Sequence, residues 1–203
     1  IANHPTGLAD GMAVFHAIKD RRPEHLYMAN ADALRVIPNG QDIIIPVEWV
    51  AAKRTPFGTF GGTLKKHSAT DLGVIAAKAA LEAGGIDPAI IDAVCVGNVA
   101  QTSTDAIYLA RHIGLKSGVP IEVPALTINR LCGSGMEAIL QAAKSVISGE
   151  GEVYIAGGVE SMTRAPYVLQ KATRAFDRGA QLHDTALGWR MINPAMQRLY
   201  PIE

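Results

Sequence analysis

Short apolar runs alternate with longer stretches of helical spacing along most of the chain. "IIIPVEWVAAK" (43–53) reads as a β-type run and leads into a Thr-Pro and Gly-rich turn. Next, Leu72, Ile75, Ala76, Ala79, Ala80 and Ala83 fall on one helical face. Asp71 stands as N-cap or first-turn acid, and Gly84-Gly85 ends the run. "AVCVGNV" (93–99) has the length and apolarity of a buried strand. Residues 104–114 predict a second helix, with Tyr108, Leu109 and Ile113 on one side. "PALTIN" (124–129) predicts a third strand, and Met136, Ile139, Leu140, Ala143, Val146 and Ile147 a third helical stripe. "EVYIAGG" (152–158) predicts a fourth strand. This alternation predicts a layered α/β fold with a mostly parallel sheet covered on both faces. From Ser161 the pattern dissolves into a mixed, amphipathic stretch, expected to be an excursion on top of the sheet. Residues 1–42 differ in texture: a turn, a helix at about 10–19 and a short strand at about 25–30, with a compositional seam near 43–53.

Composition narrows the function class. The 203 residues suffice for one sizeable core, and 48% hydrophobic with 19% charged residues is ordinary for a globular domain. Formal net charge is +0, without a basic stripe interleaved with aromatics, which argues against nucleic acid as a partner. The two cysteines, Cys95 and Cys132, have no metal-ligand spacing around them; no metal is expected, and a reducing, cytoplasmic compartment is. No apolar run reaches the length of a membrane span, and the first residues lack the features of a secretory leader. The missing initial Met and the uncapped end predict a piece of something longer.

"NRLCGSG" (129–135) carries the sharpest chemical signal. Cys132 falls between an extended run and a helical one, at the carboxyl edge where open α/β sheets place their chemistry. A helix N-terminus offers N–H groups and a partial positive charge, which suit an attacking anion and a developing oxyanion. Gly133 and Gly135 let a substrate approach the backbone. A buried packing thiol at a Gly-Ser-Gly turn is the alternative, and Cys95, inside an apolar strand, takes that structural reading.

"VAAKRTPFGTFGGTL" (50–64), "INRLCGSGMEAI" (128–139) and "IAGGVESMTRAPYV" (155–168) closely resemble the N-terminal half of thiolases, the acyl-CoA acetyltransferases. The resemblance implies an αβα half-molecule with a mixed, mostly parallel five-stranded sheet. It implies that Cys132 is a nucleophile acylated by acyl-CoA, and that its backbone N–H contributes to an oxyanion hole. Tyr167 and Val168 would border the acyl pocket. Thr55, Pro56, Gly58, Gly157, Gly158 and Glu160 match family motifs as turn and packing residues. The implied activity is that of an acetyl-CoA C-acyltransferase in fatty acid metabolism. Coenzyme A thioesters would be its substrates, with no bound cofactor, and the full-length protein would be a homo-oligomer.

The same resemblance puts a Gly-His-Pro base, a second Cys and an Asn-Glu-Ala-Phe-Ala motif in the family's C-terminal half, and none occurs here. "NHPTGLADG" and "IIPVEW" resemble instead a fragment of glycerol-phosphate-type acyltransferases, with His4 as base and Asp10 as its orienting partner. Five residues separate the pair where four are usual, and a turn with Asp10 capping a helix is an equal reading. Together the resemblances predict a fusion: an acyltransferase-like fragment (1–49), a thiolase N-terminal α/β domain (50–160) and the truncated start of a loop domain (161–203). Incomplete thiolase-type acyl transfer is the first functional expectation. The alternatives are an acyltransferase using His4 and Asp10, or a non-catalytic α/β fragment that binds another chain.

Overall fold

The computed structural model describes residues 11–17, 47–186, 188 and 190–199. Its principal sheet contains β1 (Gly11–Ala17), β2 (Val47–Arg54), β3 (Ala93–Gly97), β4 (Ala125–Ile128) and β5 (Val153–Gly158), in the order β2-β1-β5-β3-β4. β3 is parallel to both β4 and β5, and β1 is antiparallel to both β2 and β5. Four strands therefore share one direction and β1 opposes them, which gives the mixed five-stranded sheet. Three helices cover it: α1 (Ala69–Gly84), α2 (Leu109–Lys116) and α3 (Ser134–Ser148). A two-stranded ribbon, β6 (Tyr167–Leu169) and β7 (Leu182–Asp184), and the short α4 (Pro194–Leu199) follow.

Strand alternation divides the core into two layers. Val94, Val96, Val153 and Ile155 pack with Leu72, Ala76, Ala80, Leu109 and Ile113 from α1 and α2. The intervening Cys95, Tyr154 and Ala156 pack on the other face with Ala138, Ile139, Ala142 and Val146 of α3. This period-two segregation into two apolar layers is what a parallel sheet covered on both faces requires.

The helices sit as expected but are rotated. In α1 the buried side includes Leu72, Gly73, Ala76, Ala77, Ala80 and Leu81, whereas Ile75 is half exposed and Ala83 is exposed. In α3 the buried positions are Ala138, Ile139, Ala142 and Val146, leaving Met136, Leu140 and Ile147 partly open to solvent. The hydrophobic spacing located both helices, but small residues replace some of the expected large ones at the interface because close helix–sheet packing favours them. Before α2 a short 3-10 turn holds Ala106–Tyr108, and Tyr108 faces outward.

The expected helix at about 10–19 is corrected: Gly11–Ala17 is a strand. The segment "GMAVFHA" has an apolar run at consecutive positions and a β-branched residue at its centre. It fits a slot with a hydrogen-bonding strand on each side, and that pairing outweighs local helix propensity. The expected strand at about 25–30 lies outside the described residues. Lys171, Arg174 and Arg178 are all exposed in an irregular stretch.

Side-chain caps fix where elements begin. Ser68, rather than Asp71, is the N-cap of α1: its hydroxyl accepts the Asp71 N–H, and the Asp71 carboxylate accepts the Ser68 N–H, both at 3.0 Å. Those bonds hold the Asp71 carboxyl below its ordinary range. Asp92 accepts from Glu152 and Val153 N–H (2.6 and 2.9 Å) and so sets the start of β5. Asp105 accepts from Ser103 Oγ (2.6 Å) and faces His112 Nδ1 at 3.1 Å. Burial alone would raise its pKa, but these bonds bring it down to about 2.

Two outcomes test this scheme. Ser68→Ala removes half of the reciprocal cap and should cost about 1 kcal/mol in chemical denaturation, against a near-neutral Ser68→Asp. Asp105 has a depressed folded-state pKa, so its contribution is complete above the unfolded value near 4 and is lost as pH falls toward 2. Asp105→Asn should therefore lower the melting temperature at pH 6 and flatten its fall between pH 4 and pH 2. A parallel fall in both proteins would refute the assignment.

Candidate active site

The shared direction of four strands brings four carboxyl ends to one edge of the sheet. Thr55–Phe60 follow β2, Asn98–Ala100 follow β3, Asn129–Gly133 follow β4 and Val159–Thr163 follow β5. Residues from all four segments line one cavity of 350 Å³, including Phe57, Phe60, Val99, Leu131, Cys132 and Glu160. Thr185, Ala186 and Arg190 approach it from the segment after β7. The volume is within the range of small-molecule sites, and aromatic and aliphatic side chains form much of the wall.

Cys132 is exposed at this edge, two residues before the first residue of α3. The turn carrying it is closed internally. Gly133 N–H donates to Arg130 C=O at 3.1 Å and Ser134 N–H to Leu131 C=O at 3.0 Å. The Ser134 hydroxyl accepts from Arg130 N–H (2.8 Å) and donates to Leu131 C=O (2.6 Å). Asn129 Oδ1 accepts from Leu131 N–H at 3.0 Å. Leu131 is held at φ +48°, in the left-handed region, immediately before the cysteine. The N–H groups of Gly133 and Ser134 are thus engaged within the turn.

Gly97 sets how closely this turn approaches the sheet. A Cβ there would lie 2.3 Å from the Ser134 carbonyl carbon and 2.5 Å from the Gly135 nitrogen. Both are backbone atoms, so no rotamer change relieves the overlap. Glycine is required at this position by proximity, not by a positive φ.

Glu160 has a larger role than a turn and packing residue. Its carboxylate accepts N–H bonds from Val99 and from Ala100 (3.2 Å), while Asn98 Nδ2 donates to it at 3.3 Å and to Val159 C=O at 2.8 Å. One carboxylate thereby holds the β3 and β5 loops together, and Val99, Ala100 and Glu160 line the same cavity as Cys132. The signal in the sequence is an acidic residue two positions after an apolar strand, where a carboxylate needs donors. The β2 loop is tied in as well: Gly61 N–H donates to Thr163 Oγ1 and Ser161 Oγ to His67 C=O, each at 3.0 Å.

Cys95 is buried beneath α3, and burial pushes its thiol pKa up, in keeping with the structural reading. Tyr167 and Val168 lie on β6, exposed and half-buried, and are not among the residues lining the cavity. His4 and Asp10 lie outside the described residues. His112 is locally bonded to Asp105 and stacked on Tyr108 at 5.7 Å, away from the cavity. Among the described residues, no cluster of His, Cys, Asp or Glu could hold a metal ion, and no helix is long and apolar enough to cross a membrane.

The family model described as "Thiolase, N-terminal domain" matches residues 47–198. The chain belongs to the thiolase family. It is 58% identical over 121 residues to the mitochondrial 3-ketoacyl-CoA thiolase of Homo sapiens, a match covering 60% of this chain and 30% of that protein. It is 47% identical over 153 residues to the β-ketoadipyl-CoA thiolase of Pseudomonas aeruginosa, covering 75% and 38%. Among solved structures, human mitochondrial 3-ketoacyl-CoA thiolase in complex with CoA superposes with a TM-score of 0.63 at 53% identity, covering 66% of this chain and 34% of that one. The chain spans about a third of the length of these relatives. The cytoplasmic expectation is corrected by the mitochondrial relatives at 52–58% identity. Two cysteines without metal spacing bear on redox conditions, and a reduced thiol does not distinguish between reducing compartments.

Two substitutions probe the site geometry. Gly97→Ala should cost about 1–3 kcal/mol in stability by forcing backbone apart. Ser134→Ala should leave the fold cooperative but change the rate at which iodoacetamide alkylates native Cys132, with Ser134→Thr closer to the parent. Identical rates in all three proteins would show that the hydroxyl does not position the turn.

Proposed function

We propose that this chain performs the first half of thiolase-type acyl transfer, from a coenzyme A thioester to Cys132. The observation that carries the reading is the exposed Cys132 on a braced strand-to-helix turn at the mouth of a largely apolar cavity. The sulfur of Cys132, as thiolate, attacks the thioester carbonyl carbon. The bond from that carbon to the CoA sulfur breaks, and CoA leaves as a thiolate that takes up the proton Cys132 released. The Cys132 N–H is the proposed donor to the transient oxyanion. Tyr167 and Val168 remain proposed, weaker contributors to the acyl pocket.

Transfer onward to acetyl-CoA would form a carbon–carbon bond and needs a base to remove an α-proton. Among the described residues, no histidine lines the cavity. The proposed activity is therefore slow acylation without complete turnover. The CoA complex of the human relative supports coenzyme A thioesters as the substrate class. The relatives' names support fatty-acid-type 3-ketoacyl chains and a mitochondrial setting. Self-association belongs to the same reading: among the described strands β4 pairs only with β3, and Leu126 on it is 52% exposed. The proposed division is at about residue 50, with the loop segment beginning at 161.

Incubation with acetyl-CoA and intact-mass analysis tests the proposal. A single acetyl increment on the native chain, mapped to Cys132 and absent from Cys132→Ser, is expected, with one CoA released per chain. No adduct, or an adduct unchanged in Cys132→Ser, would refute it. Multiple turnover in an acetoacetyl-CoA plus CoA assay would overturn the half-reaction limit.

A further inference from the structure

On the reading of Cys132 as the acylated nucleophile, we infer that the Asn98–Glu160 pair positions the turn that carries it, acting through the end of β3. Asn98 directly follows β3 and is buried. Its backbone N–H donates to Ile128 C=O at 2.9 Å. Ile128 is the last residue of β4, so this bond holds the chain just before the Asn129–Gly133 turn. After the turn, the backbone of Ser134 and Gly135 lies against Gly97, the last residue of β3. Two consecutive residues, Gly97 and Asn98, therefore grip the nucleophile turn from both flanks.

The segment after β5 holds that grip in place. Gly97 C=O accepts from Val159 N–H at 3.0 Å. Asn98 Nδ2 donates to Val159 C=O at 2.8 Å and to the Glu160 carboxylate at 3.3 Å. The same carboxylate accepts from Val99 N–H and, at 3.2 Å, from Ala100 N–H. Donors converge on it from three consecutive residues, and an ionised carboxylate, which only accepts, suits that demand. Glutamine there would offer one acceptor oxygen and turn an NH2 group toward donors. Position 98 has the opposite need, because its Nδ2 serves two different oxygens. Donor and acceptor chemistry, beyond packing, thus selects both residue types. Misplacing a reacting atom by about 1 Å can cost on the order of 100-fold in rate. A brace on the turn therefore acts on the rate of attack by the sulfur and leaves affinity for the thioester largely alone.

Glu160→Gln in the full chain tests this with two readouts. Hydrogen exchange follows the amides of Gly133 and Ser134, which bond within the turn and not to Glu160. They should exchange at least about tenfold faster in the variant while α2 keeps its protection. Unchanged exchange at the turn would overturn the inference. Acetylation of Cys132, followed over a range of acetyl-CoA concentrations and counted per folded chain, should lose about tenfold in maximal rate. Its half-saturating concentration should stay within about twofold of the parent's. An unaltered maximal rate, or a change in the half-saturating concentration alone, would overturn the pair's role. A merely structural role would lower the melting temperature and leave both readouts of the folded chain unmoved. Should the parent show no acetylation, the acyl-transfer reading fails, and the exchange arm still decides the positioning. Should Glu160→Gln not fold, Asn98→Ser removes the amide donor and keeps the carboxylate. Faster exchange at the turn then supports the pair, and parent-like exchange overturns it.

Discussion

The contact between the end of β3 and the start of α3 governs the rest of the site. Gly97 lies against the Ser134 and Gly135 backbone at a separation that excludes any side chain. That contact fixes how far α3 can sink toward the sheet edge. The depth of α3 fixes where its first turn stands, and the turn carries Cys132. The Ser134 hydroxyl then ties Arg130 and Leu131 back to the helix, holding Leu131 at a positive φ. An exposed thiol on a surface loop could wander; here each adjoining backbone unit is bonded or packed.

Much of the fold was legible because its elements obey simple periods. Four of the five sheet strands were readable as short apolar runs, and the three covering helices as stripes. What escaped had tertiary causes. The helices are rotated because Ala77, Gly73 and Ala142 permit a closeness that larger residues at neighbouring positions do not. β1 reads as strand only once β2 and β5 stand on either side of it; in isolation its composition is ambiguous. Asp71 was visible as a first-turn acid, but the cap itself belonged to the plainer Ser68.

The candidate site divides along the same line. Cys132 could be found in the sequence because strand, turn and helix are adjacent in the chain. Glu160 could be noticed only as a motif residue, since its donors lie some sixty positions away at Asn98, Val99 and Ala100. Tyr167 and Val168 were neighbours of the site in sequence pattern, yet the ribbon that holds them stands outside the cavity lining.

The cavity wall is assembled from separate loops, and these loops do separate jobs. The β2 loop contributes Phe57 and Phe60, and the β4 turn contributes the sulfur. Glycine contact and serine hydrogen bonds brace the second; cross-loop bonds to Thr163 and from Ser161 brace the first. Because the two supports share no residue, what the cavity admits and how the thiol is presented can diverge independently. A lineage built on this frame can alter the shape of its guest by rewriting one loop and leave its reactive atom where it was.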